Sequence, residues 1–202
     1  MNKVASGICA GIMISIGGSV YMACDNKYVG AVLFCVALLC ICYKGYSLFT
    51  GKVGYIPEKH GKEEVSVLLL GLLGNAIATI ICGIAVRYAV PKIGEAAFAA
   101  CSAKLENGFA QALIKGIFCG ILMYMAVSIF RDHQKNIIGI LFCIPVFILS
   151  GFEHSIADMF YFGASGITSL QAFGFIWTII LGNAAGAMIP PVLMQAWKSG
   201  KD

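Results

Sequence analysis

The sequence predicts an all-α, polytopic membrane protein: six transmembrane helices in two inverted three-helix repeats, with the second and fifth helices broken. Three observations lead there. The 202-residue chain is 59% hydrophobic and 12% charged, with a mean hydropathy of +0.87, whereas a soluble domain carries about 25% charged residues. The tetrapeptide Leu73-Gly74-Asn75-Ala76 returns as Leu181-Gly182-Asn183-Ala184 in the second half. The stretch Leu149–Phe160 sets Glu153, His154 and Asp158 inside an otherwise apolar span. An ionisable group at the bilayer centre costs at least ~2.5–3.5 kcal/mol, so such residues mark functional paths.

The first span reads Val4–Met22, with Gly7, Gly11, Gly17 and Gly18 suited to close helix approach. It follows Lys3 as a signal peptide's apolar core would, yet runs uncharged to Cys24, long enough to cross and stay. Asp25-Asn26-Lys27 is a turn. The second span begins at Tyr28, meets Lys44 early and passes through Gly45–Gly51 into the polar loop Lys52–Glu64. Val65–Val86 is the third span. Arg87–Asn107, with Pro91 and Gly94 as breakers, is expected to be a loop. Gly108–Phe130 is the fourth span, with Lys115 near one end, and Arg131–Lys135 a charged hairpin.

The fifth span runs from Asn136 to the break at Glu153. The uncharged run Met159–Trp197 is too long for one helix. It holds the end of the fifth span, a turn near Gly163–Thr168 and the sixth span, Leu170–Met194, with Trp197 and Lys198 as an interfacial anchor. Nothing is left for a soluble domain, so 1–202 is expected to be one transmembrane domain with repeats at about 1–97 and 104–202. Gly45 and Gly151 open the two interruptions at nearly the offset that separates the tetrapeptides. Three spans per half is an odd number, so the halves are oppositely oriented, and matching broken helices point to a midplane site.

With the N-terminus inside, Lys3, Lys52, Lys59, Lys62, Arg131, Lys135, Lys198 and Lys201 face the cytoplasm, against Lys27, Arg87, Lys92, Lys104 and Lys115 outside. This bias predicts a multi-pass protein of the cell's inner (plasma) membrane with both termini cytoplasmic. The lysines are spread among loops and form no nucleic-acid face. The nine cysteines show no CxxC pair and no Cys/His metal spacing, and read as small apolar fillers.

A buried neutral histidine exchanges protons near pH 7, which makes Glu153-His154 the sharpest candidate; the alternative is a ring satisfied by a backbone carbonyl in a bent helix. Glu153 is expected to cap the amides freed by the break or to set local charge. Through the repeat, Leu48, Phe49 and Thr50 read as the opposite wall of a pore: a constriction plus one hydroxyl. Asn75 and Asn183 are suited to satisfy opened backbone, or to glue helices together.

Gly151-Phe152-Glu153-His154-Ser155-Ile156-Ala157 with Met159 closely resembles the signature of the formate/nitrite transporter family, pentameric channels for formate, nitrite, hydrosulfide and related small monovalent anions. Leu48-Phe49-Thr50 resembles its Ω-loop, Gly116-Ile117 through Met125-Ala126-Val127 its fourth span, and Gly182-Asn183 its sixth. The resemblance implies an aquaporin-like fold and a homopentamer in the lipid bilayer. By position it makes His154 and Thr50 the central polar pair, and Phe34, Leu38 and Phe147 an apolar slit on the cytoplasmic side. Leu48, Phe49 and Met123 become the outer constriction, and Lys104 a vestibule lysine.

Four positions depart from the family pattern: Gly120 and Asp158 stand where it usually has asparagine, Ser47 where it usually has an acid, and Lys44 beside the Ω-loop is an unusual charge. Lys44 and Asp158 are expected either to pair across the broken helices or to act separately, one snorkelling and one capping. The function implied is a passive or proton-coupled channel, not an enzyme. Lys104 attracts the anion, His154 supplies a proton directly or through water, and the neutral acid crosses the constrictions. No catalytic residue, metal or cofactor is expected. The rivals are an aquaporin-like channel for neutral solutes, a membrane enzyme using Glu153, His154 and Asp158, and a non-transporting scaffold.

Overall fold

The computed structural model describes residues 2–200; Lys201, counted above among the cytoplasmic lysines, lies outside them. All regular structure among these residues is helical. Helix α1 (Lys3–Ala23) starts at Asn2, whose side-chain oxygen accepts the Val4 and Ala5 amides, and Asn26 caps α2 (Lys27–Lys44) in the same way. Such caps satisfy amides that the helix itself leaves open. The chain then breaks, resumes as the four-residue α3 (Phe49–Lys52) and a 3-10 turn (Val53–Tyr55), and crosses as α4 (Lys62–Ala89). After α5 (Pro91–Glu106) and α6 (Phe109–Asp132) comes the second broken span, α7 (Ile138–Leu149) and α8 (Ser155–Ser165), and finally α9 (Leu170–Ser199).

Helices α1, α2, α4, α6 and α9 are each long and apolar enough to cross a membrane. At 12 residues α7 is too short, and α8 completes the crossing. The first span of each half packs along the third, α1 on α4 and α6 on α9, while α2 meets α7 and α4 meets α8 between the halves. Every α8 residue from Ser155 to Phe162 is buried, whereas Leu33, Leu69, Ile81, Phe142 and Leu181 stand exposed on other helices. An apolar exterior around a core holding polar groups suits lipid or neighbouring subunits as the surrounding medium.

The segment expected to be the loop Arg87–Asn107 is largely helix. Pro91 occupies the first helical position, where its missing amide costs nothing and its fixed φ is favourable. Alanines at 96, 97, 99, 100 and 103 then sustain the helix, so the proline starts this element. The turn expected near Gly163–Thr168 falls at Gly166, whose φ of +73° ends α8.

Two faces follow from the ion pairs. Lys3 lies 3.9 Å from Glu63, so α1 starts at the face carrying the Lys52–Glu64 loop, and Lys198 near the end of α9 lies close to Asp132 on that face. Asp25 and Lys92, 3.5 Å apart, mark the opposite face, where α5 lies.

Gly120 explains its own departure. A Cβ there would sit 2.3 Å from the Asn183 carbonyl oxygen on α9, so α6 and α9 touch through backbone and leave an asparagine no room. Gly120→Ala is expected to lower stability by about 1–3 kcal/mol through overpacking, read as an earlier thermal unfolding transition in detergent.

Candidate substrate path

Both breaks open with a glycine in the left-handed region, Gly45 at φ +70° and Gly151 at +69°, a conformation glycine enters without steric cost. Each interruption frees backbone groups that lipid cannot satisfy, and each is bridged by an asparagine from the third helix of its own half. Asn75 Oδ1 accepts the Phe49 amide at 2.9 Å, and its Nδ2 donates to the carbonyls of Gly7 (2.8 Å) and Ser47 (2.9 Å). Asn183 Oδ1 accepts the Ser155 amide at 2.8 Å, and its Nδ2 donates to Gly116 (2.9 Å) and Glu153 (2.8 Å). The repeat thus extends from sequence to individual hydrogen bonds.

The breaks meet at Thr50 and His154, whose Oγ1 and Nε2 are 2.8 Å apart, both residues buried. His154 is also the N-cap of α8, its Nδ1 accepting the Ala157 amide at 3.1 Å. An acceptor nitrogen carries no proton, so the neutral ring holds its hydrogen on Nε2 and donates it to Thr50. Gaining a second proton would cost His154 its cap. Phe147 stacks on the imidazole, with ring centres 5.7 Å apart, and Phe34 meets Phe147 edge-on at 6.4 Å.

On the Lys52–Glu64 face a cavity of about 700 Å³ runs inward to Leu38, Leu48 and Val127. Lys52, Arg131 and Lys135 line it, opposed by Glu58, Glu63 and Glu64. Leu48, expected in the outer constriction, and Leu38, expected in the cytoplasmic slit, both line this cavity. Phe34, one helical turn before Leu38 on α2, and its partner Phe147 do not line it. Phe49 and Met123 are buried in the core and do not line it either. Lys52, which the sequence marks only as a cytoplasmic loop lysine, belongs to the lining. It donates to Ser47 Oγ at 3.2 Å, and Ser47 in turn bonds Ser6. Only its nearness to the Ω-loop could have flagged it.

Beyond the waist, on the α5 side, Lys104 Nζ pairs with Glu153 and lies 3.1 Å from Asp158 Oδ1. Two carboxylates thus engage Lys104, the expected vestibule lysine. Glu153 does not cap the break, because His154 and Asn183 already take those amides. Asp158 pairs with Lys104 and not with Lys44, which lies exposed at the C-terminal end of α2, where a helix dipole favours a cation. Among the described residues no cluster of His, Cys, Asp and Glu converges as a metal site.

Two inverted triplets of crossings, joined at a buried polar contact between helix breaks, define a multi-pass membrane protein of the channel-and-transporter class. Residues 1–197 match the family model described as Formate/nitrite transporter, and the chain belongs to that family. It is 27% identical over 183 residues to an uncharacterized transporter of Bacillus subtilis (strain 168), covering 83% of this chain and 67% of that one. It is 25% identical over 223 residues to a formate-nitrite transporter of Plasmodium ovale, covering 91% and 70%. A solved pentameric formate channel with formate bound has the same fold, with a TM-score of 0.76 and 24% identity over 99% of this chain and 97% of that one.

Proposed function

We propose that the protein moves small monovalent anions of weak acids, of the formate, nitrite or hydrosulfide class, across the cell's inner (plasma) membrane, passively or with protons. The observation that carries this reading is the Thr50–His154 contact between the two breaks, an isolated polar waist among apolar rings. Stripping a carboxylate-sized ion of water costs of order 20 kcal/mol in the idealised limit, and several in practice. Protonating a carboxylate of pKa about 4 at pH 7 costs only ~4 kcal/mol. The neutral acid is therefore the species that crosses.

Lys104 has three N–H donors and recruits the anion through the one that Glu153 and Asp158 leave free. The anion is protonated close to His154. The Nε2–H that His154 gives Thr50 is lent to the passing acid, while Phe34, Phe147, Leu38 and Leu48 exclude hydrated ions, with Phe49 and Met123 packed behind them. Transport moves a proton from a donor onto the anion and releases it again, leaving every bond between heavy atoms of the substrate intact, so this is not an enzyme's chemistry and calls for no cofactor. The loop charge bias supports cytoplasmic termini. The apolar exterior and the pentameric structural relative support a homopentamer in the bilayer, with 1–202 as one channel domain.

The test is stopped-flow uptake of formate, nitrite, hydrosulfide, acetate and lactate into proteoliposomes across a range of pH. Uptake of at least one anion above protein-free liposomes, rising as the outer solution is acidified, is expected. His154→Phe keeps the ring stack but removes the waist donor and, with it, the Nδ1 cap of α8. Losing one waist hydrogen bond of about 1–1.5 kcal/mol predicts about tenfold slower flux. Uptake of every anion at the protein-free rate refutes the proposal.

A further inference from the structure

The first turn of α8 carries two buried polar atoms with no partner among the described residues, Ser155 Oγ and Asp158 Oδ2. Residues three apart share a helix face, so both belong to one side of the turn that His154 caps. The other oxygen of Asp158, Oδ1, faces Lys104 Nζ at 3.1 Å, and the same Nζ serves Glu153. Two carboxylates, their side chains 5% and 1% exposed, thus share one ammonium. With both ionised the cluster holds one surplus negative charge.

Among the described residues Lys104 is the cation that acts on Asp158, while Lys115 of α6 meets Glu153 through the bond its carbonyl accepts from the Glu153 amide. Cys101 of α5, Cys119 of α6 and Tyr161 of α8 face the carboxylates, and Tyr21 of α1 stands by Lys104 and Tyr161. None brings a second positive charge, and the Ala157 amide keeps Nδ1 of His154 unprotonated. An uncompensated buried charge costs several kcal/mol, and like carboxylates sharing a site resist double ionisation. A proton removes the surplus and turns the orphaned Oδ2 into a donor.

We propose that the Glu153–Asp158 pair holds one proton, seated on Asp158, and that Asp158 hands it to the anion recruited by Lys104. The Asp158 O–H bond breaks as the substrate's O–H or S–H bond forms. Asp158 is left as a carboxylate against Lys104, and the solution on the α5 side replaces the proton. Ser155 Oγ, on the same face, is free to hydrogen-bond the acid so formed. His154 does not fill the donor's place, since its only hydrogen is the one it lends at the waist. The inference rests on the transport reading above and names the donor within it.

The test combines infrared difference spectra with formate uptake on the same proteoliposomes, for the wild type and Asp158→Asn, a variant of nearly unchanged shape. Expected are a protonated carboxylic-acid carbonyl band in the wild type at neutral pH, absent from the variant, and formate uptake slowed on the order of a hundredfold, the lower end of what a positioned proton donor supplies. The variant's remaining uptake is expected to depend less on pH. No such band in the wild type overturns the shared proton. A band with unchanged uptake and pH profile in Asp158→Asn overturns the donor role. A wild type that shows the band but moves no formate, nitrite or hydrosulfide overturns the transport reading and the donor role with it, while the shared proton stands.

Discussion

Asn183→Leu is expected to yield little folded protein. The leucine fills a similar volume but leaves the Ser155 amide and the Glu153 carbonyl unpartnered at a site with no exposure, and takes from the helical Gly116 carbonyl its second donor. At about 1–3 kcal/mol for each orphaned group, the loss rivals a net stability of about 5–15 kcal/mol. Thr178→Ala on the same helix, which removes a hydroxyl bonded only to the Gly174 carbonyl of its own turn, is the contrasting variant and stays near the wild type. Size-exclusion profiles and melting curves in detergent decide it. If Asn183→Leu melts within about 2 °C of the wild type, the asparagine is not what holds the second break together.

Lys104→Met carries the second large effect. It strands Glu153 and Asp158 without their shared cation, and removing one member of a buried ion cluster typically costs about 3–5 kcal/mol. The sign of its pH dependence follows. The penalty comes from burying carboxylate charge without its cation, so it shrinks as the cluster takes up protons, and the variant regains more stability than the wild type as pH falls. Glu153→Gln leaves Lys104 paired with Asp158 and is expected to be the milder change. Melting temperatures of the three proteins on both sides of neutrality test this; a Lys104→Met penalty that does not shrink on acidification counts against the charge argument.

Much of the architecture is legible in the residues because lipid punishes open backbone so heavily. The two Leu-Gly-Asn-Ala segments, the glycines at 45 and 151 and the charge-free runs located the inverted halves, the breaks and the asparagines that bridge them. His154 and Thr50 are brought together as their places in the repeat suggest. What stayed hidden depended on three-dimensional proximity. Pro91 and Gly94 read as loop punctuation, although proline at a helix start has the opposite meaning. Lys104 and Asp158 are far apart in sequence, and no local pattern shows that α5 folds back over α8. Leu48 and Leu38, set in different constrictions by their sequence positions, line one cavity, because the order of residues around a broken helix does not reveal which half of it faces which opening.

The asparagine bridges also bear on how the protein enters the bilayer. In each interruption one amide is taken by the asparagine of the third crossing of its own triplet, so the Phe49 amide has its partner once α4 is in place, long before the second half is synthesised. That of Ser155 must wait for α9. A nascent chain halted before Asn183 would present the insertion machinery with an unsealed second gap, and quality control acting on late intermediates would meet it there.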